Sequence, residues 1–150
     1  MRRKDKEITS REEIETIIRR SNVCRLAMID GDEPYIVPMN FGYLNNRLYF
    51  HSARQGRKLD ILRRNNRICF EFDIDHRVVE GDRGCEWGFG YQSVIGTGKV
   101  SFIDAPEAKK EALAIIMRQY SDQTFEYAER AVNKTVVFSV AIETMSGKRS

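Results

Sequence analysis

Cysteine is scarce in this sequence, and what there is sits far apart. Cys24, Cys69 and Cys85 are odd in number and widely separated, which excludes a disulfide framework and fits a reducing compartment. No Cys-x2-Cys or His-x3-His pair is present, so no structural metal site is expected. No apolar run approaches the roughly 20 residues that span a bilayer. The first residues, "MRRKDKEITSREE", begin basic but continue charged where a leader needs an apolar stretch, so a cytoplasmic location is expected. An excess of one charge is also missing. A net charge of +3 with a pI near 8.8 permits an anionic ligand without calling for nucleic acid. Gly-x4-Gly-Lys-Ser/Thr and Gly-x-Gly-x-x-Gly fingerprints are absent.

What remains is an ordinary globular composition, 41% hydrophobic and 31% charged, in a chain of 150 residues that fits one domain over 1–150. Residues 9–20 have the pattern of a helix, with Ser10 and Glu13 at capping-box spacing and Ile14, Ile17 and Ile18 on one face. Strands are expected at 23–30, 35–43, 47–52, 67–75, 91–104 and 135–147, with turns at Asp30-Gly31 and Asn45-Asn46. Gly96 and Gly98 allow a bend or bulge in the fifth of these. Helices are expected at about 55–65, ended by Asn65-Asn66, at 106–120 after Pro106, and at about 124–132. Residues 76–90, with four glycines and no clear period, have the pattern of a loop. Strands in hairpin order with few strand–helix alternations point to a mainly β fold with helices at its margins, a small antiparallel barrel.

One stretch carries chemistry. In "LYFHSARQGRKLDIL" a strand passes into a helix through His51, Ser52, Arg54, Gly56, Arg57 and Lys58. Cations at a helix start oppose the macrodipole, whereas an anion would suit both. Free N–H groups of a first turn, a close approach at Gly56, the Ser52 hydroxyl, the Arg57 fork and the Lys58 charge make a phosphate cradle. The alternative is a solvated helix face whose cations pair with Asp60 or Glu71. His51, beside that cradle, could donate to an anion, move a proton, or be a hydrogen-bonded strand residue; His76 reads as a surface residue. Cys24 and Cys69 are expected as buried small hydrophobes. Glu71, Asp73 and Asp75 alternate along one strand and read as an exposed face of an edge strand.

The run "PYIVPMNFGY…LYFHSARQGRKLDILRRNNRICFE", followed by "YQSVIGTGKV", resembles the FMN-binding split-barrel flavoproteins of the pyridoxamine 5′-phosphate oxidase-like family, and within it the nitroimidazole-resistance (Nim-type) group. "KDKEI", "CRLAM", "FHSA", "GRKLD", "YQSVIG" and "SGKRS" occur in order over nearly the whole chain. The resemblance implies a six-stranded antiparallel split β-barrel of Greek-key type that binds FMN. It implies His51, Ser52, Arg57 and Lys58 at the phosphate and ribityl chain, and Val37, Pro38, Met39, Asn40 and Phe41 along the ring edge. It also implies Gln92, Ser93 and Val94 as a further flavin contact. It implies a homodimer with FMN at the subunit interface and a small-molecule substrate. A Cys-x-Trp pattern shared with that group places Trp87 at a substrate pocket or an interface. Val37 and Gly42 stand where the pyridoxal-forming oxidases carry basic residues, and the ending "AIETMSGKRS" lacks their Arg/His segment, which argues against pyridoxamine phosphate oxidation. The implied activity is an FMN-dependent oxidoreductase reducing nitro groups, with His51 a candidate catalytic residue and NAD(P)H a candidate reductant. Two alternatives stand beside it: a non-catalytic flavin- or haem-binding barrel (related barrels also bind F420), and a nucleic-acid-binding small barrel, against which the scattered basic residues count.

Overall fold

The computed structural model describes residues 3–150. In chain order the elements are β1 (Glu7–Ile8), α1 (Arg11–Arg20), β2 (Cys24–Asp30), β3 (Glu33–Met39), β4 (Gly42–Leu44), β5 (Arg47–Ser52), α2 (Arg57–Arg64), β6 (Arg67–Val79), β7 (Gly88–Ile103), α3 (Pro106–Arg118), α4 (Glu129–Asn133) and β8 (Val136–Arg149). Every strand pairing is antiparallel, in the order β3-β2-β6-β7-β8-β5-β4, with β1 on β8. The two ends of this sheet, β3 and β4, are consecutive in the chain and separated only by Asn40 and Phe41. The sheet therefore curls until its ends meet at that break, which makes it a split barrel.

Among the described residues, eight strands replace the six expected, for two reasons. The expected strand 35–43 is two strands. Tyr120 Oη accepts the Phe41 N–H at 2.9 Å and donates to the Asn22 carbonyl at 3.0 Å, so the backbone at the break is pinned by a side chain rather than by a ladder. The pair Glu7–Ile8 is too short to carry an alternation and is a strand only because β8 lies beside it.

Alternation fills the interior. Phe41, Phe50, Phe70, Phe72 and Phe138 are fully buried, with Phe41–Phe72 ring centroids 4.8 Å apart and Phe50–Phe138 5.3 Å apart. The apolar face of α1 (Ile14, Ile17, Ile18) closes one end, its first turn capped by Ser10 Oγ accepting the Glu13 N–H. Gln119 Nε2 donates to the Arg19 and Ser21 carbonyls, which satisfies carbonyls left open at the end of α1. Pro106 opens α3, which lies over β4 and β5. A Cβ at Gly42 would sit 2.6 Å from the Ile115 carbonyl oxygen, so that approach requires glycine. The Asn45-Asn46 turn has φ of 49° and 59°, as a tight hairpin needs. The register of β7 on β8 shifts between Thr97 and Gly98, the bulge expected there.

Residues 76–90 are not a simple loop. Strand β6 runs on to Val79 and β7 begins at Gly88, so a two-stranded arm projects beyond a register break at Ile74/Arg77, where Asp75 has φ of 58°. The arm leaves Val78, Val79, Trp87 and Phe89 each about half exposed. The helix expected at 124–132 is confined to α4. No described helix is long and apolar enough to cross a membrane.

Candidate functional site

The barrel break gathers most of the sequence-predicted site. Continuing the β4–β5 register two residues past Gly42↔Tyr49 sets Asn40 opposite His51 at the end of β5. Ser52 follows, buried, and the chain then turns into α2 at Gly56, whose φ of 143° lies outside the range L-residues adopt readily. Open space surrounds the position of a Gly56 Cβ. The first acceptor inside α2 is the Gly56 carbonyl, taken by Leu59 and Asp60, so the N–H groups of Arg57 and Lys58 have no partner within the helix.

His51 Nδ1 is buried and makes no hydrogen bond. Burial first, and the Lys58 charge second, hold the imidazole below its ordinary pKa, so its neutral form is favoured. A buried ring nitrogen without a partner is costly unless something comes to meet it. Lys58 makes no ion pair among the described residues.

Strand β3 forms the other wall. It pairs only with β2, and Pro34 and Pro38, which cannot donate to a ladder, fix the alternation so that positions 34, 36 and 38 turn their backbone to the free edge. That edge offers the Ile36 N–H and C=O and the carbonyls of Pro34 and Pro38. Val37 is half-buried, while Met39 and Phe41 point into the core and can face a ligand with backbone alone. The Phe41 N–H is already taken by Tyr120.

The remaining predicted residues lie elsewhere. Gln92, Ser93 and Val94 sit on β7, separated from β3 by β2 and β6, about 14 Å at ordinary strand spacing. Gln92 Nε2 donates to Asp75 at 2.8 Å, Ser93 is buried, and Val94 is core. Trp87 is on the projecting arm, 53% exposed. Within one barrel these four do not join the corner.

Sequence reasoning misplaced the charge partners. Arg57 Nε donates to Asp30 Oδ2 and Nη2 to Glu33 Oε2, each at 2.8 Å, and the guanidinium lies 4.8 Å from the Tyr35 ring centroid. Arg54 Nη2 donates to the Asn133 carbonyl at 2.6 Å. Asp60 pairs with Arg63 instead, and Glu71 with Arg25. The acidic turn at 30–33 was visible in sequence, but nothing local tied it to Arg57. Glu71 and Asp73 lie on an inner strand, where Arg25 bridges both and His76 Nε2 meets Asp73 at 2.5 Å. His76 is itself exposed and stacks on Phe89. Burial, then the Asp73 charge, pushes the Glu71 carboxyl up. Cys24 is buried, Cys69 partly so and Cys85 exposed, and burial pushes the Cys24 thiol up.

Comparison with known proteins agrees with this architecture. A candidate 5-nitroimidazole antibiotic resistance protein from Bacteroides thetaiotaomicron superposes with a TM-score of 0.87 at 39% identity, covering 95% of this chain and 86% of that one. An FAD-binding protein from Mesorhizobium loti superposes with a TM-score of 0.68 at 26% identity, covering 94% and 95%. An FAD and haem binding protein from Mycobacterium smegmatis shares the fold, with a TM-score of 0.88 at 21% identity over 97% and 73%. An uncharacterized protein of Rhizobium meliloti (strain 1021) is 30% identical over 100 residues, which are 67% of this chain and 59% of that relative's length. The model of the family described as pyridoxamine 5′-phosphate oxidase matches residues 10–149. With the split barrel, the match over nearly its whole length means that this chain belongs to the pyridoxamine 5′-phosphate oxidase family.

Proposed function

We propose that this protein is an FMN-dependent oxidoreductase that works as a homodimer, with the flavin phosphate at the start of α2 and the ring along the free edge of β3. One observation carries the reading. The barrel break sets the buried, partnerless Nδ1 of His51 beside a helix start on Gly56 whose first N–H groups are free. An anionic ligand answers both, since His51 Nδ1 and the helix amides can donate to its oxygens.

A bound flavin supplies two-electron redox chemistry, and the protein's part is to hold, orient and shield it. Lys58 and the N–H groups of Arg57 and Lys58 hold the phosphate, and Ser52 adds a hydroxyl. The Ile36 N–H and the Pro34, Ile36 and Pro38 carbonyls present a donor and acceptors to the polar rim of the ring. His51 can also hold a proton at the corner and pass it to a reduced substrate.

The second copy follows from what one barrel leaves open. Gln92, Ser93 and Val94 stand apart from the corner, so a contact from them comes from the partner. The outer sheet face exposes Ile29, Ile36 and Ile95, with Ile29 lining a groove of about 420 Å³, and the arm exposes Trp87 and Phe89. Two such surfaces on one chain suit a closed two-fold pair. The relative at 39% identity favours a nitro group on a small heterocycle as substrate, with Trp87 of a partner reaching the pocket. With no dinucleotide fingerprint, NAD(P)H would share the flavin pocket. A haem reading has one observation behind it: a neutral imidazole with a free nitrogen is the form that ligates iron.

The test is to release and identify whatever small molecule co-purifies. Flavin bands that bleach with NADH or NADPH are expected. A Soret band, or a colourless protein that takes up no FMN, would overturn the reading.

A further inference from the structure

Arg57 is the fork best suited to a phosphate, yet both of its arms are engaged by carboxylates of the β2–β3 hairpin. Gly31, with φ of 65°, makes the turn that sets Asp30 opposite Glu33, so the two acids converge on one guanidinium. They are not equivalent. Asp30 also accepts from Arg64 Nη2 at 2.5 Å, and its side chain is only 22% exposed. Glu33 has Arg57 as its one ion-pair partner among the described residues, and its side chain is 76% exposed.

We propose that Asp30 and Glu33 are built-in competitors for Arg57, which set the affinity and the phosphate selectivity of the site. The inference rests on the placement of a phosphate at α2 proposed above. When a phosphate arrives, Glu33 is released to water and Asp30 keeps Arg64, so neither carboxylate is stranded. The Tyr35 ring under the guanidinium supports it while its acceptors change. Lys58, with no acid to give up, is available first. A ligand without a phosphate draws nothing from this exchange, so the competitors penalise only phosphorylated ligands, and Glu33 is the adjustable part.

The experiment titrates wild type, E33Q, R57A and E33Q/R57A with FMN and with riboflavin, following flavin fluorescence at low and high salt. E33Q is expected to bind FMN about two- to fivefold more tightly, the range of an exposed ion pair, with riboflavin unchanged. The gain should shrink at high salt and vanish in the R57A background. D30N, checked by urea denaturation for the loss of its Arg64 tie, should shift FMN in the same direction. If E33Q leaves FMN affinity unchanged or weakens it, Glu33 is no competitor and the proposal is overturned. The underlying placement fails separately: an R57A/K58A variant that binds FMN like wild type removes the phosphate from α2 and this inference with it.

Discussion

At the α2 corner, Asp30 and Glu33 close on Arg57 while Arg64 holds the other oxygen of Asp30. On the β6–β7 arm, Val78, Val79, Trp87 and Phe89 are each about half exposed, Phe89 stacks on His76, and Arg83 ties the tip to Glu86 at 2.5 Å. Both regions lie at margins of one sheet, and the difference between them decides how each can be used. A ligand at the corner must displace exposed charges that already have partners, so the ion pairs it breaks offset part of its gain. A partner on the arm displaces only water from apolar surface, so burial there counts in full. The corner is thereby suited to selective binding of a small anion, and the arm to holding a second copy.

Breaking the arm should give the largest effect. Replacing Trp87 and Phe89 by Ser removes two aromatic anchors of about 2 kcal/mol each, so the proposed dimer should weaken by about 1000-fold or more. Sedimentation at micromolar concentration should then show monomers with the circular dichroism spectrum of the wild type, since both side chains are half exposed within one chain. An unchanged dimer would move the interface elsewhere.

The corner can be disturbed from behind. Tyr120→Phe leaves the Phe41 N–H and the Asn22 carbonyl without their partner, and should lower stability by about 1–2 kcal/mol in urea denaturation. No loss would mean that water replaces the hydroxyl and that the barrel break is not held by Tyr120.

The smallest effect sharpens the electrostatic side. His51 should titrate below 6.5 in the free protein, because burial and then Lys58 disfavour its charged form. Between that lowered value and 6.5 the unfolded chain binds more proton than the folded one. The His51 contribution to stability is therefore present above 6.5 and is lost as pH falls through the folded value. H51Q should flatten that part of the stability–pH curve. Adding FMN should raise the His51 titration, followed by NMR, since a nearby phosphate favours the imidazolium. A titration that FMN leaves in place would separate His51 from the anion.

Much of the fold was legible because local pattern and tertiary environment agree: the Ser10 cap, the Ile14–Ile17–Ile18 face, the positive φ at Asn45 and Asn46, and the glycine bulge at Gly98. The misreadings are places where a distant contact decides. The break at Asn40–Phe41 depends on Tyr120, about 80 residues later in the chain. The arm was hidden because the positive φ at Asp75 shifts the strand period, and because its apolar residues are exposed rather than buried. At the site, the cations and His51 could be read from one strand–turn–helix segment. Their carboxylate partners could not, since Asp60 and Glu71, nearer in sequence, are drawn off by Arg63 and Arg25. Gln92, Ser93 and Val94 belong to a different part of the barrel, and only the family pattern links them to the corner.

The central claim is that the first turn of α2 holds a flavin phosphate, and the most direct measurement is FMN affinity by fluorescence quenching in wild type and in R57A/K58A. With charge-assisted contacts worth about 1.5–3 kcal/mol each, the double variant should bind FMN about 100-fold more weakly while its circular dichroism stays that of the wild type. Equal affinity in the two proteins would contradict the account.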